Sequence, residues 1–216
     1  ALMRVLPLRR ARRAPPPGAF AVVFGRVEVT TRKGVDVVSQ DEQPMKADPA
    51  KIPNLKPAFA KDGTITAANA SSISDGAAAL VMTRESVARA LNLPIVARVA
   101  AHAAHAHEPA LFTTAPVPAM QKALKKAGWS VEDVDLWEVN EAFAVVPMIA
   151  MREMDIDHAR LNVNGGACAL GHPIGASGAR VMATLLSALK ANGKSRGMAS
   201  LCIGGGEAIA MAVELA

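Results

Sequence analysis

Residues 163–216 read VNGGACALGHPIGASGARVMATLLSALKANGKSRGMASLCIGGGEAIAMAVELA. A glycine-rich loop opens the stretch. ARVMATLLSALKANG follows as a helix, stopped by Asn192-Gly193. GMASLCIGGGEAIAMAVELA is two apolar strands around a three-glycine turn. Upstream, DVDLWEVN (133–140) reads as a strand, and EAFAVVPMIAMREM (141–154) as a helix that tolerates Pro147. PVPAMQKALKKA (116–127) is an amphipathic helix with proline at its start and Gly128 at its end. IVARVAAHAA from Ile95 is a strand candidate. The order strand–helix–strand–helix–helix–strand–strand predicts an α/β layered fold closing on an antiparallel pair.

The first 94 residues are less regular. Residues 1–18 hold arginine and proline without a period. They are expected to be a disordered tail or sequence foreign to the fold rather than a transit peptide, since the stretch has no serine. Residues 20–31 alternate like a strand, and 39–63 are polar, carry four prolines and form a long surface excursion. AAALVM (77–82) is expected as a buried strand, and ESVARALN (85–92) as a helix ending before Pro94.

Composition narrows the function classes. Half of the 216 residues are hydrophobic, tyrosine is absent, and the core must come from Ala, Val, Leu, Ile and Met. The net charge of +5 is concentrated in Arg4, Arg9, Arg10, Arg12, Arg13 and Arg26; without those six, the 19 acidic residues balance the rest. That distribution argues against a nucleic-acid face. No apolar run reaches the ~18 residues of a membrane span, so no membrane partner is expected. Two cysteines without metal spacing make neither a disulfide framework nor a metal site, and a reducing compartment is expected: the cytoplasm, or alternatively the mitochondrial matrix.

Three segments concentrate polar groups, the second and third of them beside glycine. Asn140-Glu141-Ala142-Phe143 sits where a strand meets a helix, the usual place for a site in an α/β sheet, although Asn140 also reads as a plain helix N-cap. His172 lies in GHPIG, followed by Ala176-Ser177-Gly178; it is either a site imidazole or a turn histidine bonded to backbone. Cys202 precedes Gly204-Gly205-Gly206, where bare amides can stabilise an oxyanion; the alternative is a core cysteine. Cys168 fits a core position. His102, His105 and His107 lack further ligands nearby, so no metal is expected, and His158 reads as a surface residue.

Taken together and in this order, NEAF, GHPIGASG and CIGGG resemble the thiolase family. The resemblance extends through NLKPAF, DGTITAANAS and SDGAAALVM, covering about residues 54–216; it thins over 19–53, where GAF and TTRKG still match, and fails over 1–18. It implies an acyltransferase acting on acyl-CoA (acetyl-CoA C-acetyltransferase, in fatty acid metabolism) by Claisen condensation or thiolysis of 3-ketoacyl-CoA, with coenzyme A thioesters as substrates and no metal. His172 matches the histidine that deprotonates a nucleophilic cysteine, Cys202 the acid/base cysteine, and Asn140 the asparagine of an oxyanion hole. Gly204 matches a second oxyanion donor, and Ser71, Ala67, Phe59, Ala142 and Phe143 match coenzyme A contacts.

The resemblance also implies a thiolase-like layered fold. Its complete C-terminal half, a mixed five-stranded sheet with helices on both faces, spans 94–216; a loop-domain remnant spans 19–70, and the last strand and helix of an N-terminal domain span 71–93. The family assembles as homo-oligomers. The nucleophile loop has no counterpart here, so this chain alone is expected to be inactive and AAALVM to lack its sheet. The alternatives are a non-catalytic remnant that binds coenzyme A or oligomerises, and a cysteine hydrolase pairing Cys202 with His172.

Overall fold

The computed structural model describes residues 8–12 and 25–216. Its centre is a four-stranded mixed sheet in the order β3-β6-β5-β4, built from β3 (Ala97–Ala106), β4 (Leu136–Val139), β5 (Arg196–Cys202) and β6 (Glu207–Leu215). β4 and β5 run parallel, while β6 is antiparallel to both β5 and β3. The mixed α/β sheet is the expected one, with four strands where five are expected. On the outer side of β4, Leu161 makes a lone parallel bridge to Trp137. The chain turns away at once because Asn162 takes a left-handed backbone (φ 47°).

Alternation along β4 decides what each face receives. Trp137 and Val139 enter one core with Met198, Ala208, Ala210 and Ala212. That core is capped by α3 (Pro116–Ala127) and α4 (Val145–Met154), which contribute Met120, Leu124, Val146 and Met154. Leu136 enters the opposite core with Val181, Leu185 and Leu189 of α6 (Ser177–Ala191). The small alanines of β6 let α3 lie close to the sheet. At the end of α3, Gly128 takes the left-handed conformation (φ 69°) that stops a helix, as the sequence predicts. α6 covers β4, β5 and the Val213 end of β6; on that face Val99 and Ile209 stay exposed.

The remaining elements are peripheral. β1 (Val27–Thr31) and β2 (Gly34–Val38) form an antiparallel hairpin exposed along its whole length. α1 (Gln43–Lys46) and α2 (Glu85–Ala90) are short helices, and α5 (Ala167–Leu170) is a single turn. The expected buried strand at 77–82 is absent: this segment is unpaired and mostly exposed, with Val81 at 96%. A strand is buried only where neighbours pair and cover it, and no described residue does either.

Residues 8–12 correct the expectation of a featureless tail over 1–18. They form a helical turn with Leu8 and Ala11 buried. The Arg10 guanidinium donates to Leu161 O at 2.7 Å and His158 O at 2.9 Å, so this arginine serves as an anchor. Residues 1–7 and 13–18 of that expectation, and 20–24 of the expected 20–31 strand, lie outside the described residues. Among the described residues, no helix is long and apolar enough to cross a membrane.

Candidate active site

The site starts at the carboxyl end of β4. Asn140 N donates to Ser200 O at 2.9 Å, carrying the parallel ladder one residue past the strand. The Asn140 side chain therefore stands at the same sheet end as Cys202, two residues beyond Ser200 on β5. His172 arrives from the glycine-rich loop: its backbone N donates to Ser72 O at 3.0 Å, and it bridges Ile73 in parallel. Gly171 permits this approach. Its φ of +86° suits glycine, and a Cβ there would strike the Ser74 side chain.

Four side chains then form a directed chain. Arg180 Nη2 donates to Asn140 Oδ1 at 3.3 Å, and Asn140 Nδ2 faces His172 Nε2 at 3.3 Å. His172 Nδ1 lies 2.6 Å from Ser177 Oγ, whose hydroxyl donates to Pro173 O at 2.9 Å. A guanidinium only donates, so Asn140 must present its oxygen to Arg180 and its NH2 to the imidazole. Ser177 has already given its proton to Pro173 O, so it accepts one from Nδ1. His172 is thus the Nδ1–H tautomer, with a lone pair on Nε2. Burial, helped by the Arg180 charge, holds its pKa below the usual imidazole range, so the ring is neutral at neutral pH.

Beneath this chain lie buried carboxyl groups that the motif reading does not single out. Glu138 alternates onto the α6 face of β4, and burial pushes its carboxyl up to about 8. Burial also raises Glu141, whose carboxylate accepts from Asn162 Nδ2 at 3.2 Å and Cys168 N at 3.1 Å. The Asn162 side chain further pairs with both Val139 N and Val139 O at 2.9 Å, completing the open edge of β4. A Cβ at Gly166 would collide with the Glu141 carboxyl, which explains this glycine. NEAF and GASGAR contain Glu141, Ser177 and Arg180. The roles of Glu141 and Arg180 depend on contacts between residues 21 to 40 positions apart, which no local pattern reveals, whereas Ser177 meets His172 only five positions away.

Cys202 is buried and, among the described residues, its thiol bonds neither Asn140 nor His172. Burial pushes it up to about 11. Cys168 is raised further by burial and by Glu141, and its Sγ points at Glu141 O. Gly204 lies in the exposed turn after Cys202, and its amide donates to no acceptor among the described residues. Ser71 donates to Ala142 O through both N (3.0 Å) and Oγ (2.9 Å), tying 69–71 to 142–144. Phe59 packs edge-to-face on Phe143 at 6.1 Å and leaves its outer face bare (76% exposed). Ala67 is exposed in the adjoining turn. The histidines at 102, 105 and 107 go elsewhere: His105 Nδ1 meets Lys122 Nζ at 3.0 Å, and His107 Nε2 lies 2.9 Å from Leu111 O.

The family model for the thiolase C-terminal domain matches residues 93–215, and that for the thiolase N-terminal domain matches residues 8–86. The chain belongs to the thiolase family. The match begins at residue 8, inside the stretch where the motif resemblance fails, in keeping with the helical turn anchored by Arg10. Over 207 residues the chain is 51% identical to the acetyl-CoA acetyltransferase of Escherichia coli (strain K12), taking in 95% of this chain and 52% of that protein. The chain thus spans about half the length of the thiolases it matches. The Bacillus anthracis acetyl-CoA acetyltransferase superposes with a TM-score of 0.95 at 39% identity, over 99% of this chain and 55% of that one. The Acat5 thiolase of Ascaris suum, solved in complex with coenzyme A, gives 0.87 at 39%, over 99% and 55%.

Proposed function

We propose that these residues supply one half of a thiolase-type acyltransferase site, catalysing Claisen condensation or thiolysis of 3-ketoacyl-CoA. The observation that carries this reading is the Asn140–His172 contact with its tautomer set by Ser177. A neutral imidazole with an unprotonated Nε2 is the base that a thiol nucleophile needs, and the Asn140 amide, which faces that nitrogen, brings a second N–H to the same spot for thioester oxygen. Cys202, at the same sheet end, first gives its proton to the coenzyme A thiolate released on acylation of the nucleophile and, as the resulting thiolate, takes the proton from the acetyl α-carbon; the carbanion then forms the new C–C bond while the acyl C–S bond to the nucleophile breaks and that thiolate leaves. Gly204 N is the second oxyanion donor. Phe59, Phe143, Ala142, Ala67 and Ser71 form the wall met by the pantetheine of coenzyme A.

The division that the resemblance implies goes with it: a loop-domain portion over 19–70, N-terminal-domain elements over 71–93, and the C-terminal domain over 94–216. The bare apolar groups at Ile73, Val81, Met82 and Leu91 support an association that covers them, with a complementary thiolase half or in a homo-oligomer. These 216 residues by themselves form no acyl-enzyme. Both thiols are raised, so neither is a thiolate at neutral pH.

The test has two arms. Labelled acetyl-CoA incubated with the chain alone is expected to leave no adduct by mass spectrometry. Co-expression with a thiolase N-terminal half is expected to yield acetoacetyl-CoA thiolysis that falls by ~10³ or more in His172→Asn. A stable acetyl group on Cys202 or Cys168 in the first arm would overturn the inactivity of the isolated chain. A well-formed but inert complex in the second would overturn the acyl-transfer reading.

A further inference from the structure

We infer that Arg180 is a positioning residue, holding the Asn140 amide in the one orientation that keeps its NH2, and not its oxygen, against His172 Nε2. The functional meaning rests on the acyl-transfer reading above; the orientation itself does not.

Arg180 lies in the first turn of α6 and reaches the end of β4 through the Nη2–Oδ1 contact of 3.3 Å. Turning the Asn140 amide over would set NH2 against guanidinium N–H, donor against donor, and would place Oδ1 on the Nε2 lone pair. That flipped state is tolerable only if His172 takes up a proton on Nε2, which removes the base. The guanidinium is not clamped in a direct ion pair: among the described residues, Arg180 Nη1 and Glu138 Oε1 are both buried and unpartnered. Glu138 on β4, Glu141 just beyond it and Arg10 from the helical turn at 8–12 are the charged groups around it. Its bond to Asn140 is therefore the specific contact, and the neighbouring carboxyls, of which Glu138 keeps its proton at neutral pH, hold it through no direct bond.

A purely structural buried arginine would affect His172 only through its charge, whatever stood at position 140. The experiment is ¹⁵N NMR of the His172 ring across pH, with the signal assigned by its loss in His172→Asn. Wild type is expected to show protonated Nδ1, unprotonated Nε2 and a slowly exchanging Asn140 NH2. Arg180→Met should raise the His172 midpoint by at least about half a unit. In an Asn140→Leu background the same substitution should raise it clearly less, leaving only the charge effect. Equal shifts in both backgrounds would overturn the inference. So would a neutral wild-type His172 carrying its proton on Nε2, a result that needs no variant to fold. None of these readouts needs acyl transfer, so failure of the proposed activity is distinguishable from failure of this inference.

Discussion

Replacing Glu138 with glutamine should make the protein more stable at neutral pH and flatten its pH dependence. Glu138 sits on the α6 face of β4, 2% exposed, with one carboxyl oxygen unpartnered. Burial is the main cause of its rise from a usual 4.5 to about 8; Arg180 and Arg10 oppose the rise, and Glu141 adds to it. The folded state therefore keeps a proton that the unfolded chain releases above pH ~4.5. Stability from this group is complete below that pH and is lost as pH climbs through about 8. Each unit is worth about 1.4 kcal/mol, so wild type should lose on the order of 2–3 kcal/mol relative to Glu138→Gln between roughly pH 5.5 and 7.5. Glutamine preserves the shape and has no proton to release. Urea unfolding of both proteins at a series of pH values measures the difference directly, and other titrating groups cancel in the comparison. Parallel curves across that window would show that Glu138 ionises normally in the fold, and the electrostatic account of the buried cluster would fail.

Other outcomes are equally specific. Leu185→Ala empties the fully buried centre of the α6 core and should cost roughly 2–5 kcal/mol by chemical denaturation; a loss under about 1 kcal/mol would mean that α6 is loosely packed. Gly171→Ala combines a positive φ with a clash on Ser74 and should cost on the order of 3 kcal/mol, loosening the His172–Ser72 junction in hydrogen exchange. Neither cysteine should react readily with iodoacetamide near pH 7.5 in the native protein, since burial raises both, and both should react on unfolding. Rapid native labelling of Cys202 would contradict its buried, raised state.

The sequence by itself determined the layered core. The apolar periods of α3 and α6, the glycine stops at Gly128 and Gly193 and the apolar runs of β5 and β6 are local signals that tertiary packing reinforces, so they read correctly. The motifs singled out Asn140 at a strand end and His172 in a glycine-rich loop, and the fold brings those two side chains to 3.3 Å. Three things needed the tertiary structure. A buried strand at 77–82 depends on neighbours that the described residues do not provide, and the same composition then lies exposed. Residues 8–12 are ordered by Arg10 reaching carbonyls about 150 positions away. The roles of Arg180 and Glu138 arise because β4 and the first turn of α6 meet around the buried Asn140 and Ser177. There a hydrogen-bond direction or a retained proton is decided by what faces it across the fold, and not by its neighbours along the chain.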